Sequence, residues 1–255
     1  MRFRSRFWRW QSPMPRPTAD LPFIGKWKTD PARSDLTGTT VSFGNLPTGE
    51  WQWSSGGMTY TFRMDGKDHA TGMGDTAAWV ALDRATWQTT WKSQGRVLST
   101  ETLALGPDGE TLTITNRGTT PNGKPINDST TFQRQQGGPG LAGQWKSISV
   151  KSGSASVIGF APLGEDRVAF KQPAWGVLCE AELDGKDYPC TTPIGPGWTL
   201  AMTQVGERVL AMTVRKDGKT FVVMTQTVSA DRKTMTQISE ATGTNERTKT
   251  VYNRQ

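Results

Sequence analysis

Gly25-Lys26-Trp27-Lys28 recurs as Gly143-Gln144-Trp145-Lys146, and the reading of the whole chain grows outward from these two tetrapeptides. Downstream of them, Asp65-Gly66-Lys67-Asp68 returns as Asp184-Gly185-Lys186-Asp187, and Trp79 falls opposite Trp198. The stretch from Lys92 to Arg96 matches Lys216 to Lys219 with one residue fewer. The ends agree as well, Phe132-Gln133-Arg134-Gln135 against Tyr252-Asn253-Arg254-Gln255. The landmarks keep their order at an offset of roughly 120 residues. That period is too long for a solenoid repeat and suits a small domain. The chain therefore divides into an N-terminal arm (1–20), a first unit (21–135) and a second unit (136–255). The turn-rich join Gln136-Gly137-Gly138-Pro139-Gly140 lies between the units.

Within each copy the pattern is strand, turn, strand. Trp87, Thr89 and Trp91 alternate with Gln88 and Thr90, and Leu210, Met212 and Val214 alternate with Ala211 and Thr213, which sets one face inward in both copies. Turn signals return about every ten residues, at Gly56-Gly57, Asp65-Gly66, Gly95, Pro107-Asp108-Gly109 and Asn122-Gly123. The expectation is an all-β protein of two tandem antiparallel up-and-down β-barrels with about eight strands each. No run approaches the roughly 20 apolar residues of a membrane-spanning helix, so no transmembrane segment is expected.

The formal charge of +7 divides unevenly. Residues 1–20 hold five Arg and one Asp, residues 21–135 hold 11 basic and 11 acidic side chains, and residues 136–255 hold 14 and 11. A nucleic-acid binder concentrates positive charge on a folded surface, because phosphate neutralisation supplies most of its affinity. Here much of the excess lies on the arm, so no nucleic-acid partner is expected.

The Gly-x-Trp on the first strand and the Arg near the end of the last resemble the calycin group, which includes lipocalins, fatty-acid-binding proteins and avidins. The fuller pattern, Gly25 to Ser34 followed by Asp65-Gly66-Lys67-Asp68, resembles bacterial lipocalin-like proteins. The resemblance implies a lipocalin-like barrel with an internal cavity, closed where the Arg packs across the Trp. The structural pairs it implies are Trp27 with Arg134 and Trp145 with Arg254. It names no ligand and no reaction.

Cys179 and Cys190 are the two cysteines. A tight turn at Asp184-Gly185 sets them opposite each other at disulfide distance, and a disulfide argues for a periplasmic or extracellular location. Two cysteines and one remote histidine cannot complete a zinc site, so neither a metal nor a cofactor is expected. His69 falls opposite Phe62 by the same hairpin reasoning, on the face of Tyr60 and Met64. Glu101 sits among Leu103 and Leu105 on a strand and points inward, and Asp83 closes the Trp79 strand. Two carboxyls about 5–10 Å apart across a barrel mouth can hydrolyse a glycoside.

Six tryptophans lie in the first unit (Trp27, Trp51, Trp53, Trp79, Trp87 and Trp91) and three in the second. Where the first has Trp51, Trp53, Trp87 and Trp91, the second has Val168, Phe170, Leu210 and Val214. Core packing needs only volume, whereas flat amphipathic rings also suit stacking on sugars and aromatic groups. The arm alternates Arg2, Arg4 and Arg6 with Phe3, Ser5 and Phe7, adds Trp8, Arg9 and Trp10, and lacks the apolar core of a signal peptide. It is a candidate for surface or self-contact through residues 1–20.

Three readings follow. The first is binding of a small hydrophobic, aromatic or glycosidic ligand in the first barrel, lined by Trp51, Trp53, Trp79, Trp87, Trp91, Tyr60 and His69. The second is a hydrolase of glycosidic or ester bonds using Glu101, Asp83 and His69. The third is a structural or assembly module with both barrels packed solid.

Overall fold

The computed structural model describes residues 18–153 and 156–255. Residues 1–17 of the arm (1–20), and with them the expectation of surface or self-contact there, lie outside the described residues. Among the described residues no helix is long and apolar enough to cross a membrane.

Among the described residues twenty strands form. The first ten are β1 (Gly25–Thr29), β2 (Thr40–Asn45), β3 (Trp51–Ser55), β4 (Met58–Phe62), β5 (Asp68–Ala70), β6 (Asp75–Ala81), β7 (Thr86–Ser93), β8 (Arg96–Leu105), β9 (Thr111–Thr119) and β10 (Pro125–Gln136). The second ten are β11 (Gly143–Ser152), β12 (Val157–Leu163), β13 (Arg167–Gln172), β14 (Val177–Glu182), β15 (Tyr188–Thr191), β16 (Trp198–Gly206), β17 (Val209–Lys216), β18 (Lys219–Val228), β19 (Thr234–Ala241) and β20 (Arg247–Arg254). They build two ten-stranded antiparallel barrel-like sheets. Alternation suggested about eight strands per unit. The count is higher because tight turns cut out short pieces, such as the three residues of β5 and the four of β15.

The sheets do not follow the chain from end to end. β1 pairs with β12 and β20, and β11 pairs with β10 and β2. Each half thus lends its opening strand to the other. One barrel closes as β1 with β12 through β20, while the other holds β2 through β11. We call the latter the first barrel. The exchange overturns the expected Trp–Arg pairs. Arg254 lies 4.2 Å over the Trp27 ring and Arg134 lies 4.0 Å over Trp145. The two Gly-x-Trp strands are alike in sequence, and the connections from β1 and from β11 run across to the partner barrel.

The two closures are built alike. Trp27 Nε1 donates to the Phe23 carbonyl at 2.8 Å, and Trp145 Nε1 to the Leu141 carbonyl at 3.0 Å. Arg134 donates to the carbonyls of Gly109, Gly138, Gly140 and Ala142. Gly143 is required beneath this guanidinium. Its φ is +145°, and a Cβ there would fall 2.4 Å from the Gln136 carbonyl oxygen, in a region that L side chains rarely enter.

The barrels meet end to end. A Cβ on Gly74 would lie 1.9 Å from the Ile194 carbonyl oxygen, and one on Gly57 would lie 2.2 Å from that of Thr242. Ser93 Oγ donates to the Pro193 carbonyl at 2.9 Å, and the Asn122 amide to Ala174 at 3.3 Å. Under the repeat, the contact of Gly57 with Thr242 corresponds to that of Ala174 with Asn122. The Gly74–Ile194 contact corresponds to itself. The halves are therefore related by an approximate two-fold, with equivalent ends facing each other.

Candidate functional site

Cross-strand register decides which side chains share a layer, because directly opposed residues lie on the same face of a sheet. In the first barrel Trp87 opposes Leu103, Leu103 opposes Ile114, and Leu112 opposes Phe132. These residues join Trp79, Phe62 and Trp145 in an apolar core that fills the end away from the other barrel. The next layer differs. Thr89 opposes Glu101, Glu101 opposes Asn116, Asn116 opposes Asp128, and Asp128 opposes Ser152. A polar row thus crosses five strands on the inner face.

Glu101 lies deep within the protein, yet it and Asn116 keep some accessible surface. Burial pushes the Glu101 carboxyl above the ordinary carboxylate range, and the Trp91 indole N–H beside it offsets part of that. The indole sits close enough to favour the anion without reaching hydrogen-bond geometry, and Trp91 Nε1 has no partner of normal geometry. Thr89 Oγ1 and Asn116 Oδ1 are likewise buried without a partner. The protein contact to Glu101 is a long one, from Asn116 Nδ2 at 3.4 Å. Asp128 accepts from Ser152 Oγ at 2.9 Å. It also lines a groove of about 320 Å³ between the barrels, with Lys124, Ile126 and Trp175.

Aromatic rings flank this row. Trp53 lies 5.2 Å from Tyr60 and 6.4 Å from Trp91, and Tyr60 lies 6.0 Å from Trp91. The Tyr60 hydroxyl accepts from Trp79 Nε1 at 3.1 Å. Burial first, and then the nearby Glu101 and Asp75 carboxylates, raise its pKa above that of an ordinary phenol. Trp51 stacks on Phe62, and Trp79 and Trp87 belong to the packed core. The structure therefore gathers Trp53, Tyr60, Trp91 and Glu101, while Trp79 and Trp87 form the floor.

Asp83 does not join them. It is exposed in the turn between β6 and β7, at the packed end, where Oδ1 accepts the Ala85 amide at 2.7 Å. His69 is registered against Ala77. Its expected pairing with Phe62 does not form, because β4 and β5 share no ladder. Instead its Nε2 stands 3.0 Å from Asp65 Oδ1 and 3.2 Å from the Arg63 amide, bridging the seam between those strands. Sequence alternation placed Glu101 and Thr89 inward, but Asn116 and Asp128, and the meeting of all four, emerge through register alone.

The equivalent layer of the second barrel reads Met212, Met224, Ser239 and Thr248. Phe170 and Cys179 oppose each other there as Trp53 and Tyr60 do in the first. Cys179 and Cys190 are registered partners joined by a disulfide, as the hairpin reasoning placed them. The smaller side chains leave an apolar cavity of about 240 Å³, lined by Phe170, the disulfide, Trp198, Val214 and Met224. Among the described residues no three His, Cys, Asp or Glu side chains gather as a metal site. Comparison with known proteins finds no matching family model, no matching curated protein and no matching solved structure.

Proposed function

We propose that the protein binds a small ligand with an aromatic, hydrophobic or glycosidic body in the first barrel. One observation carries the reading. The first barrel places a deeply set carboxyl beside Trp53, Tyr60 and Trp91, with Thr89, Trp91 and Asn116 each leaving a polar atom open, where its twin has Met224 with Phe170, Cys179 and Val214. Buried polar groups without partners cost stability, and the twin, which leaves atoms of Trp198, Thr199 and Gln226 open, shows that the fold does not require the carboxyl, having Met224 in its place. A ligand that pairs with the carboxyl explains its presence. The paired Trp–Arg closures support a calycin-like identity, and the disulfide supports a periplasmic or extracellular location.

Tryptophan fluorescence tests this directly, with the full chain titrated against aryl glycosides, aromatic acids and amines, and fatty acids and their alcohols. A saturable change is expected. Trp91→Val, which copies the second barrel, is expected to weaken it at least tenfold. Saturable binding left intact in that variant would place the site elsewhere.

Hydrolysis is the second reading, favoured by the presence of Glu101 and Asp128 on one inner row, two interstrand spacings apart. Those spacings amount to about 10 Å between backbones, within reach of an inverting glycosidase pair once side chains are placed. Glu101, whose carboxyl burial favours in the protonated form, would serve as the acid. Release of aryl alcohol from an aryl glycoside, lost in Glu101→Gln, is its signature.

A further inference from the structure

We propose that the ligand of the first barrel is an organic cation, a protonated amine on an aromatic or aliphatic body, whose ammonium group is held between Glu101 and the faces of Trp53, Tyr60 and Trp91. This rests on the ligand-binding reading above and names the chemistry of that same site.

The row is rich in acceptors and lacks a base. Glu101 and Asp128 are its two carboxyls, and no basic side chain forms an ion pair with either among the described residues. The nearby Lys92 is committed to Asp68 on the outer face at 2.7 Å. Lys124, at the groove beside Asp128, is exposed. Inside proteins a buried charge is normally paired, so the carboxyl without a base asks for a positive partner. Thr89 leaves a second polar group open in the same row. It is fully buried, opposes Glu101, and its hydroxyl has no partner. Asn116 Oδ1, another acceptor, is also open. An ammonium offers up to three donors and no acceptor, which suits Glu101, Asn116 Oδ1 and Thr89 Oγ1, while the remaining open atom, the donor Trp91 Nε1, stays beside the Glu101 carboxylate.

The aromatic rings supply the rest. Three rings cluster with centroids within 6.4 Å of one another, and two of them, Trp91 and Tyr60, lie near the carboxyl. Cations are attracted to such faces, most strongly to tryptophan and when desolvated. The second barrel lacks the carboxyl and two of the three rings at these positions, having Met224, Cys179 and Val214. Its cavity is apolar and uncharged. The duplicated fold thus carries its own control.

Shape-matched pairs separate charge from bulk. Calorimetric titration of the full chain at pH 8 would compare phenethylamine with 2-phenylethanol, tryptamine with 3-ethylindole, and hexylamine with hexanol. At least one amine is expected to bind ten times or more tighter than its neutral partner, and Glu101→Gln is expected to remove that gap. Asp128→Asn provides a second reading, expected to weaken the amine severalfold. Neutral partners that bind as well as the amines, or a gap that survives in Glu101→Gln, would overturn the cation assignment and leave ligand binding standing. Absence of binding by every member of the three pairs would overturn it too. Silence in the fluorescence panel as well would remove the ligand-binding reading itself.

Discussion

Glu101 is where the sequence of the first unit departs most sharply from what a barrel interior needs. Its neighbours Leu103 and Leu105 made its inward direction readable, since alternation along one strand is a local property. Alternation set Thr89 inward as well, but Asn116, Asp128 and the meeting of all four were not readable in the same way. Their meeting depends on register between strands, and a slip of one residue would have turned each outward. The physical cost of the carboxyl leads to a prediction. Its pKa is raised in the folded state by burial, so the native protein holds a proton that the unfolded chain has already released. Stability therefore falls as pH climbs from the ordinary carboxylate range through the raised value, and is level above it. Glu101→Met, which copies the second barrel, is expected to abolish that slope. It should add about 1–3 kcal/mol at pH 8, as removal of an unpaired buried charge does. Urea unfolding at pH 5 and pH 8 measures both effects, and equal slopes in the two proteins would refute the account.

Among the elements, β14–β15 and β4–β5 show what a hairpin can do when its ladder is short. β14 and β15 share two registered pairs, Leu178 with Thr191 and Cys179 with Cys190, and the disulfide sits on one of them. The first barrel has Tyr60 and Thr71 at those places, and its two strands are not hydrogen-bonded together at all. There the gap is spanned by His69 with Asp65 and by Tyr60 with Trp79. The cysteine pairing was readable because it is local and symmetric about Asp184-Gly185. The position of His69 was not, because the same reasoning assumes a ladder that the first barrel does not form. Replacing both cysteines by serine is expected to cost about 2–3 kcal/mol, the usual value for a crosslink closing a short loop. Hydrogen exchange should locate the loss in β15, which would come to resemble β5. Uniform loss of protection over the whole second barrel would instead mean that the staple supports the entire fold.

At the scale of the molecule, the duplication and the all-β class were readable because they are written in repeated residues and turn signals. The exchange of opening strands was not, since Gly25-Lys26-Trp27-Lys28 and Gly143-Gln144-Trp145-Lys146 are nearly interchangeable and nothing local says which barrel each joins. The arrangement makes a direct forecast. A chain cut once within residues 137–140, by an engineered protease site, should stay at full size on gel filtration under native conditions. It should fall into two fragments only in denaturant. Separation into two folded halves without denaturant would contradict the exchange. Two copies that each lend an edge to the other, about a two-fold axis, are what a strand-swapped homodimer looks like once its two genes are fused. Fusion frees such a pair from sameness. In a homodimer every substitution is made twice, so a carboxyl placed in one lumen appears in both. On a single chain, one chamber can acquire charge and tryptophan while the other stays greasy and crosslinked, holding the shared frame steady as its twin specialises.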